Sequence, residues 1–174
     1  MQIINTLQKK WDGVSFPFLI HSNVKLFFSD LDFEFQLNLS MIHAGDVVAI
    51  IGDFNPSSIS LLLKLIDKKT IIVPLTMETQ GEHEYFFKIA FVDYVIFGNK
   101  IKKLNNKLKK HKLIDYLKNI NHPGLVLFST GTTGRPKAIL HDFNLFLKRY
   151  ETPRPRLKTI NFLLFDHIGG INTL

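Results

Sequence analysis

A layered α/β fold, with a parallel-rich sheet and flanking helices, is what this 174-residue sequence predicts, on three observations. Short apolar runs of strand length recur along the chain. The first of them is followed by a segment of helix length that is apolar nearly all round. Residues with capping or turn chemistry separate the two kinds of segment, so β and α alternate, the pattern of helices packed on a sheet.

Taken in order, residues 25–41 stand apart from that pattern. Phe33, Phe35, Leu37, Leu39 and Met41 alternate with Asp32, Glu34, Gln36, Asn38 and Ser40. This period of two predicts a half-buried strand, with residues 24–28 as its hairpin partner. The alternating pattern opens at Gly45-Asp46. Val47-Val48-Ala49-Ile50-Ile51, bounded by Gly52 and Asp53, reads as a strand buried on both faces. Asn55-Pro56 supplies an N-cap and a proline whose missing N–H costs nothing in the first turn. A helix over 57–67 follows, and its Ile59, Leu61, Leu62, Leu63, Leu65 and Ile66 require packing on more than one side. Residues 70–75 form a β-branched second strand containing Pro74, which completes a βαβ unit with a right-handed crossover. The pattern then predicts a helix over 78–90, a strand at Tyr94–Phe97 ended by Gly98, and a short helix over 113–120. It continues with a buried strand at Gly124–Phe128, a helix over 142–149 capped by Asp142, and a strand over 159–165.

Composition narrows the function classes. Hydrophobic residues are 45% and charged residues 21%, ordinary for a globular chain and too apolar for intrinsic disorder. No apolar run approaches the roughly 18 residues that span a bilayer, so no membrane association is expected. The first eleven residues lack the apolar core of a secretory signal. The absence of cysteine excludes disulfides, thiolate nucleophiles and cysteine-ligated zinc, and the cytoplasm is the default location. The net charge of +7 has a single source. Lys100, Lys102, Lys103, Lys107, Lys109, Lys110 and Lys112 fall in an acid-free stretch, and taking those seven from 22 basic residues leaves 15 against 15 acidic ones. The stretch has neither arginine nor stacking aromatics, so a solvated connection is expected there and nucleic acid is not.

One segment carries chemistry. After the strand at Gly124–Phe128 come Ser129-Thr130-Gly131-Thr132-Thr133-Gly134-Arg135-Pro136-Lys137. Glycines let backbone N–H groups approach an anion, hydroxyls add donors, and a lysine adds a mobile charge. This is phosphate chemistry, with a helix expected after the lysine. It is not the Walker A loop: two residues, not four, separate the glycines, and Ala138 follows the lysine in place of Ser or Thr.

The segment resembles the phosphate-binding signature of the acyl-adenylate-forming superfamily, which includes acyl- and aryl-CoA synthetases, adenylation domains of peptide synthetases, and luciferases. The family pattern Ser/Thr-Gly-Thr/Ser-Thr-Gly-x-Pro-Lys-Gly is met without a gap from Thr130 to Lys137, with Ala138 replacing the last glycine. Residues 44–74 are similar to the family's Gly-Asp-x-Val-Ala strand, buried helix and Val-Pro strand. Leu164-Phe165-Asp166-His167-Ile168-Gly169-Gly170 is similar to its His-x-x-Gly motif near the acyl pocket. Residues 25–43 depart from the family, which commonly has a helix there.

The resemblance implies an ATP- and Mg²⁺-dependent ligase that activates a carboxylic acid as acyl-AMP and passes it to a thiol such as coenzyme A. It implies that Ser129, Thr130, Gly131, Thr132, Thr133 and Gly134 wrap the β- and γ-phosphates, and that Lys137 neutralises charge on the departing pyrophosphate. His167 and Gly169 would face the carboxylate substrate. A second reading stays open for His167, as the cap of a helix beginning near Ile168, with Asp166 an alternative cap. His141 is expected at a helix start, and His21, His43, His83, His111 and His122 at the surface.

The resemblance also places the family's adenine, ribose and metal motifs and its catalytic lysine beyond Gly170. The expectation is therefore an incomplete N-terminal domain over 1–174, inactive alone. It divides into N-terminal strands (1–43), βαβ-type units (44–98), a lysine-rich connection (99–112) and a phosphate-loop strand-helix-strand part (113–174). Apolar surface left uncovered in such a piece favours a homo-oligomer. The reading from another class is a non-catalytic module that binds nucleotide or docks a partner.

Overall fold

The computed structural model describes residues 3–31, 37–106, 108–129, 134–150, 152 and 158–174. Among them, six strands form one sheet in the order β6-β5-β3-β4-β7-β8. In chain order these are β3 (Val47–Ile51), β4 (Ile71–Leu75), β5 (Tyr94–Phe97), β6 (Lys100–Lys103), β7 (Gly124–Phe128) and β8 (Ala138–Asp142). The four central strands β5, β3, β4 and β7 are parallel, and β6 and β8 close the two edges as antiparallel hairpin partners. A separate hairpin pairs β1 (Leu19–His21) with β2 (Val24–Leu26). Its turn residues Ser22 and Asn23 both have positive φ, the combination that two-residue hairpin loops need. The mixed α/β architecture expected from the alternating pattern is present.

The sheet is covered on both faces because its strands carry apolar side chains on both. Helix α2 (Pro56–Asp67) packs on the face formed by Val48, Ile50, Ile72, Tyr94, Ile96, Leu125 and Leu127. Helix α3 (His83–Ile89) and helix α4 (Lys112–Asn119) cover Val47, Ala49, Ile71, Val73, Val95 and Val126 on the other. Asn55 caps α2 by accepting from the Ser58 N–H at 2.9 Å, and Pro56 starts the helix, as the sequence predicts. The outer side of α2 is covered in turn by α1 (Ile3–Trp11), whose Ile3 and Ile4 N–H groups donate to the Asp67 carboxylate. An acidic side chain from α2 thus serves the positive end of α1.

Several expectations are corrected. The N-terminal part begins with a helix, not strands. Of residues 24–28, Val24–Leu26 pair upstream with β1, and Phe28 begins a 3-10 turn that runs to Asp30. Of the strand predicted from the alternation over 32–41, residues 32–36 lie outside the described residues, and residues 37–41 are not strand. There Asn38 accepts from the Ser40 N–H at 2.9 Å and Leu39 accepts from Ile42, so local turn bonds take the groups a ladder would use. The lysine-rich stretch over 99–112 is not all connection, since Lys100–Lys103 within it are the edge strand β6. Residues 159–165 form no strand, and β7 already has β8 as its outer neighbour; of this segment, Phe165 packs against Phe54, which follows β3. Among the described residues no helix is long and apolar enough to cross a membrane.

Candidate functional site

Pro74 opens the site. It stands in β4, between two other strands, where a residue without an N–H is uncommon. The ladder between β4 and β7 runs only from Ile71–Gly124 to Ile72–Leu125 and stops short of it. The carboxyl ends of β4 and β7 are therefore unpaired with each other. Helices α2 and α3, which follow the neighbouring strands β3 and β4, lie on opposite faces of the sheet. Such a reversal makes a crevice at the carboxyl ends of the strands, the usual place for a ligand in an open α/β sheet.

The phosphate-type loop leaves β7 at this edge. Its two ends are tied together: the Ser129 N–H donates to the Lys137 carbonyl at 3.0 Å, and the Lys137 N–H donates to Ser129 Oγ at 3.2 Å. Ser129 is half-buried and Lys137 exposed. With Oγ accepting from Lys137, the Ser129 O–H is left to donate elsewhere. The chain then continues as β8, antiparallel to β7, and not as the helix expected after the lysine. The loop is thus a hairpin tip. Gly134 is exposed, and a Cβ there would meet no described atom within 4 Å, so packing gives no reason for glycine at this position. Thr130, Gly131, Thr132 and Thr133 lie outside the described residues.

Helix α3 holds both arms of this hairpin. Phe86 stacks on Phe128, with ring centres 3.9 Å apart and planes at 11°. Tyr85 donates its hydroxyl to the Pro136 carbonyl at 3.1 Å, and the Arg135 guanidinium lies 5.4 Å from the Tyr85 ring centre. The periodicity of α3 marks its apolar side but not this polar contact, so nothing in the sequence singles out Tyr85.

The His-x-x-Gly segment reaches the same edge from another direction. Phe165 is fully buried and packs edge-on against Phe54, which follows β3, at 5.2 Å. Asp166 accepts from Thr76 Oγ1 at 3.3 Å, at the end of β4. His167 is exposed and caps α6 (Ile168–Thr173): its Nδ1 accepts from the Gly169 N–H at 3.1 Å. The capping reading of His167 is therefore realised, and Asp166 is not the cap. With Nδ1 accepting, the neutral ring carries its proton on Nε2. Gly170 has a packing reason, because a Cβ there would come within 2.4 Å of the Leu164 carbonyl oxygen; at Gly169 a Cβ would lie 2.3 Å from Leu163 Cδ1, the end of a flexible side chain that can give way.

The other histidines depart from a uniformly exposed set. His83 is buried and donates from Nε2 to the Thr76 carbonyl at 2.9 Å. His122 bonds Asp142 at 2.8 Å, while Asp142 also caps α5 (Phe143–Lys148) through the Asn144 and Leu145 N–H groups. His111 caps α4. His141 sits in β8 opposite Leu125, not at a helix start. Burial, with the nearby Arg149 cation, lowers its pKa below the usual value. Among the described residues no group of three or more His, Asp or Glu could hold a metal ion.

Comparison with known proteins turns on the fold. No family model matches the sequence, and no curated protein is similar to it. The N-terminal subdomain of Klebsiella oxytoca NpsA, in complex with 3-hydroxybenzoyl-AMSN, superposes with a TM-score of 0.57 over 79% of this chain at 18% identity. This chain shares the fold of the NpsA N-terminal subdomain. It spans only 39% of the length of that subdomain chain. Longer NpsA structures agree. NpsA in complex with 3-hydroxyanthranilyl-AMSN gives a TM-score of 0.53 at 17% identity over the same share of this chain, which covers 31% of it. NpsA-ThdA from the same organism, an artificially fused adenylation-PCP di-domain, gives 0.53 at 19% identity, with the same two coverages. The fold implied by the resemblance of residues 129–137 is therefore the fold present.

Proposed function

We propose that this chain is the phosphate-gripping part of an ATP-dependent ligase that activates a carboxylic acid as an acyl-adenylate. The observation that carries the reading is the hairpin closed by Ser129 and Lys137 at the open carboxyl edge of the sheet. The NpsA subdomain of like fold is described in complex with acyl-AMSN compounds, which agrees with a carboxylate as the substrate class.

The residues present fit the phosphates of ATP. Ser129 has a hydroxyl proton to donate, Gly134 lets its amide approach an anion without a side chain in the way, and Lys137 brings an exposed ammonium. ATP, when bound, supplies the adenylyl group and the pyrophosphate that leaves. Lys137 acts where charge grows on that leaving group, a role that stabilises the transition state more than the ground state. Thr130, Gly131, Thr132 and Thr133 complete the wrap on the strength of their match to the signature. His167 and Gly169 are assigned to the carboxylate side, His167 through Nε2, since Nδ1 is engaged in the helix cap. The described residues offer Mg²⁺ no cluster of ligands, and none is assigned. The thiol acceptor is coenzyme A or a carrier-borne thiol.

Direct titration with pyrophosphate tests the reading. The wild-type chain should bind it, and Lys137→Ala should weaken binding at least tenfold, the loss expected of one charge-assisted contact of about 1.5–3 kcal/mol. Equal affinity of the two proteins would sink the assignment. The 174-residue chain alone should catalyse no carboxylate-dependent exchange of labelled pyrophosphate into ATP, since it spans only 39% of the comparable subdomain.

A further inference from the structure

We propose that Tyr85 is a positioning residue for the phosphate loop, fixing its outgoing arm on helix α3 before any ligand arrives; this rests on the phosphate-binding reading above. Two consecutive residues of one helix hold the two arms of the hairpin. Phe86, buried, stacks flat on Phe128 in the incoming arm, which is ordinary core packing. Tyr85, half-buried, does something a phenylalanine could not: its hydroxyl donates to the Pro136 carbonyl at 3.1 Å.

The place of that bond matters. The last pair closing the hairpin is Ser129–Lys137, and Pro136 is the next residue toward the tip. Pro136 is half-buried, so its carbonyl calls for a partner, and among the described residues the donor that reaches it comes from outside the hairpin. Tyr85 supplies that donor. Its ring meanwhile lies 5.4 Å from the Arg135 guanidinium, which gives the same arm a second point of attachment. The first residue of α3 is fixed as well. His83 donates to the Thr76 carbonyl at 2.9 Å, and the Thr76 hydroxyl donates to Asp166. The first turn of α3 therefore connects, through Thr76, to Asp166 in the His-x-x-Gly segment and, through Tyr85, to the arm that follows the loop. An outgoing arm held in advance has less conformational entropy to lose when an anion binds beside it, and the gain appears as affinity.

Tyr85→Phe isolates the idea, since it keeps the ring under Arg135 and removes only the donor. Backbone amide exchange and pyrophosphate titration are measured on the whole chain for wild type, Tyr85→Phe and Lys137→Ala. In Tyr85→Phe, exchange at Gly134, Arg135 and Lys137 should quicken while that of β3 and β4 is unchanged. Pyrophosphate affinity should fall about fivefold, roughly 1 kcal/mol at 1.4 kcal/mol per tenfold. Unchanged exchange at those three amides overturns the anchor. Quickened exchange with unchanged affinity overturns the positioning role while leaving the phosphate reading standing. A wild-type chain that binds pyrophosphate no better than Lys137→Ala overturns the phosphate reading itself.

Discussion

Single residues in this molecule carry more than one duty, and the duties follow from which atom faces which partner. Ser129 accepts at Oγ from the Lys137 N–H and keeps its hydroxyl proton, so one side chain closes a hairpin and still offers a donor. His167 uses Nδ1 for a helix cap and keeps Nε2. Asp142 divides its two oxygens between the first amides of α5 and the ring of His122. His141 shows the opposite case, a titratable group whose surroundings oppose its charge. Burial first, and Arg149 second, lower its pKa in the folded state. The unfolded chain therefore holds the His141 proton more tightly, and the stability that depends on a neutral ring is lost as pH falls through the usual value of about 6.5. We expect wild type to lose more thermal stability than His141→Gln between about pH 7.5 and about pH 5.5. Melting curves of the two proteins at both pH values check this, and equal losses would remove His141 from the account.

At the scale of elements, the legible parts were those fixed by local chemistry. Asn55-Pro56 starts α2, and the all-round apolar character of 57–67 is explained by a sheet on one side and α1 on the other. The strands at Val47–Ile51, Tyr94–Phe97 and Gly124–Phe128 stand where the sequence puts them. The elements that could not be read locally depend on partners. Leu37 and Leu39 do turn inward as their alternation suggests, yet Asn38 folds the backbone into a turn and no strand forms there. The lysines of β6 form an edge strand because Gly98, with positive φ, reverses the chain onto β5. Lysines on an exposed edge also discourage pairing with another sheet. The arm after Lys137 is a strand because β7 presents a free edge to it. Helix α6 gives a test at this scale. Its docking depends on Gly170, where a Cβ would lie 2.4 Å from the Leu164 carbonyl oxygen and 2.8 Å from the Phe54 ring. Backbone cannot yield as a flexible side chain can, so Gly170→Ala should cost about 1–3 kcal/mol in denaturant unfolding. An unchanged midpoint would show that α6 is not seated as described.

For the whole molecule, what matters is which surfaces are finished. Both faces of the sheet are covered by helices; the edge strand β6 carries exposed lysines, whereas β8 exposes Ala138 and Ile139. The segment leading to α6 is different, for Ile160 is 88% and Phe162 82% exposed. Large apolar side chains this open favour association. We expect the chain to self-associate with rising concentration, and the double change Ile160→Ser, Phe162→Ser to shift it toward monomer. Light scattering decides it: identical mass for both proteins at every concentration would rule this segment out as the contact.

The sequence by itself determined the alternation of strands and helices, the double-sided burial of the central strands, the caps of α2 and α5, and the segment to which phosphate binding is proposed. These are short-range matters: hydrophobic period, cap residues and loop composition are set by neighbours in the chain. Only the tertiary structure decided that the loop is a hairpin tip, that the sheet opens beside Pro74, and that Tyr85, Thr76, His83 and Asp166 meet around that opening. Those facts depend on strand order and on side chains brought together from 90 residues apart, as Thr76 and Asp166 are. No local pattern encodes such a meeting, because the free energy that fixes it comes from burying both faces of the sheet at once.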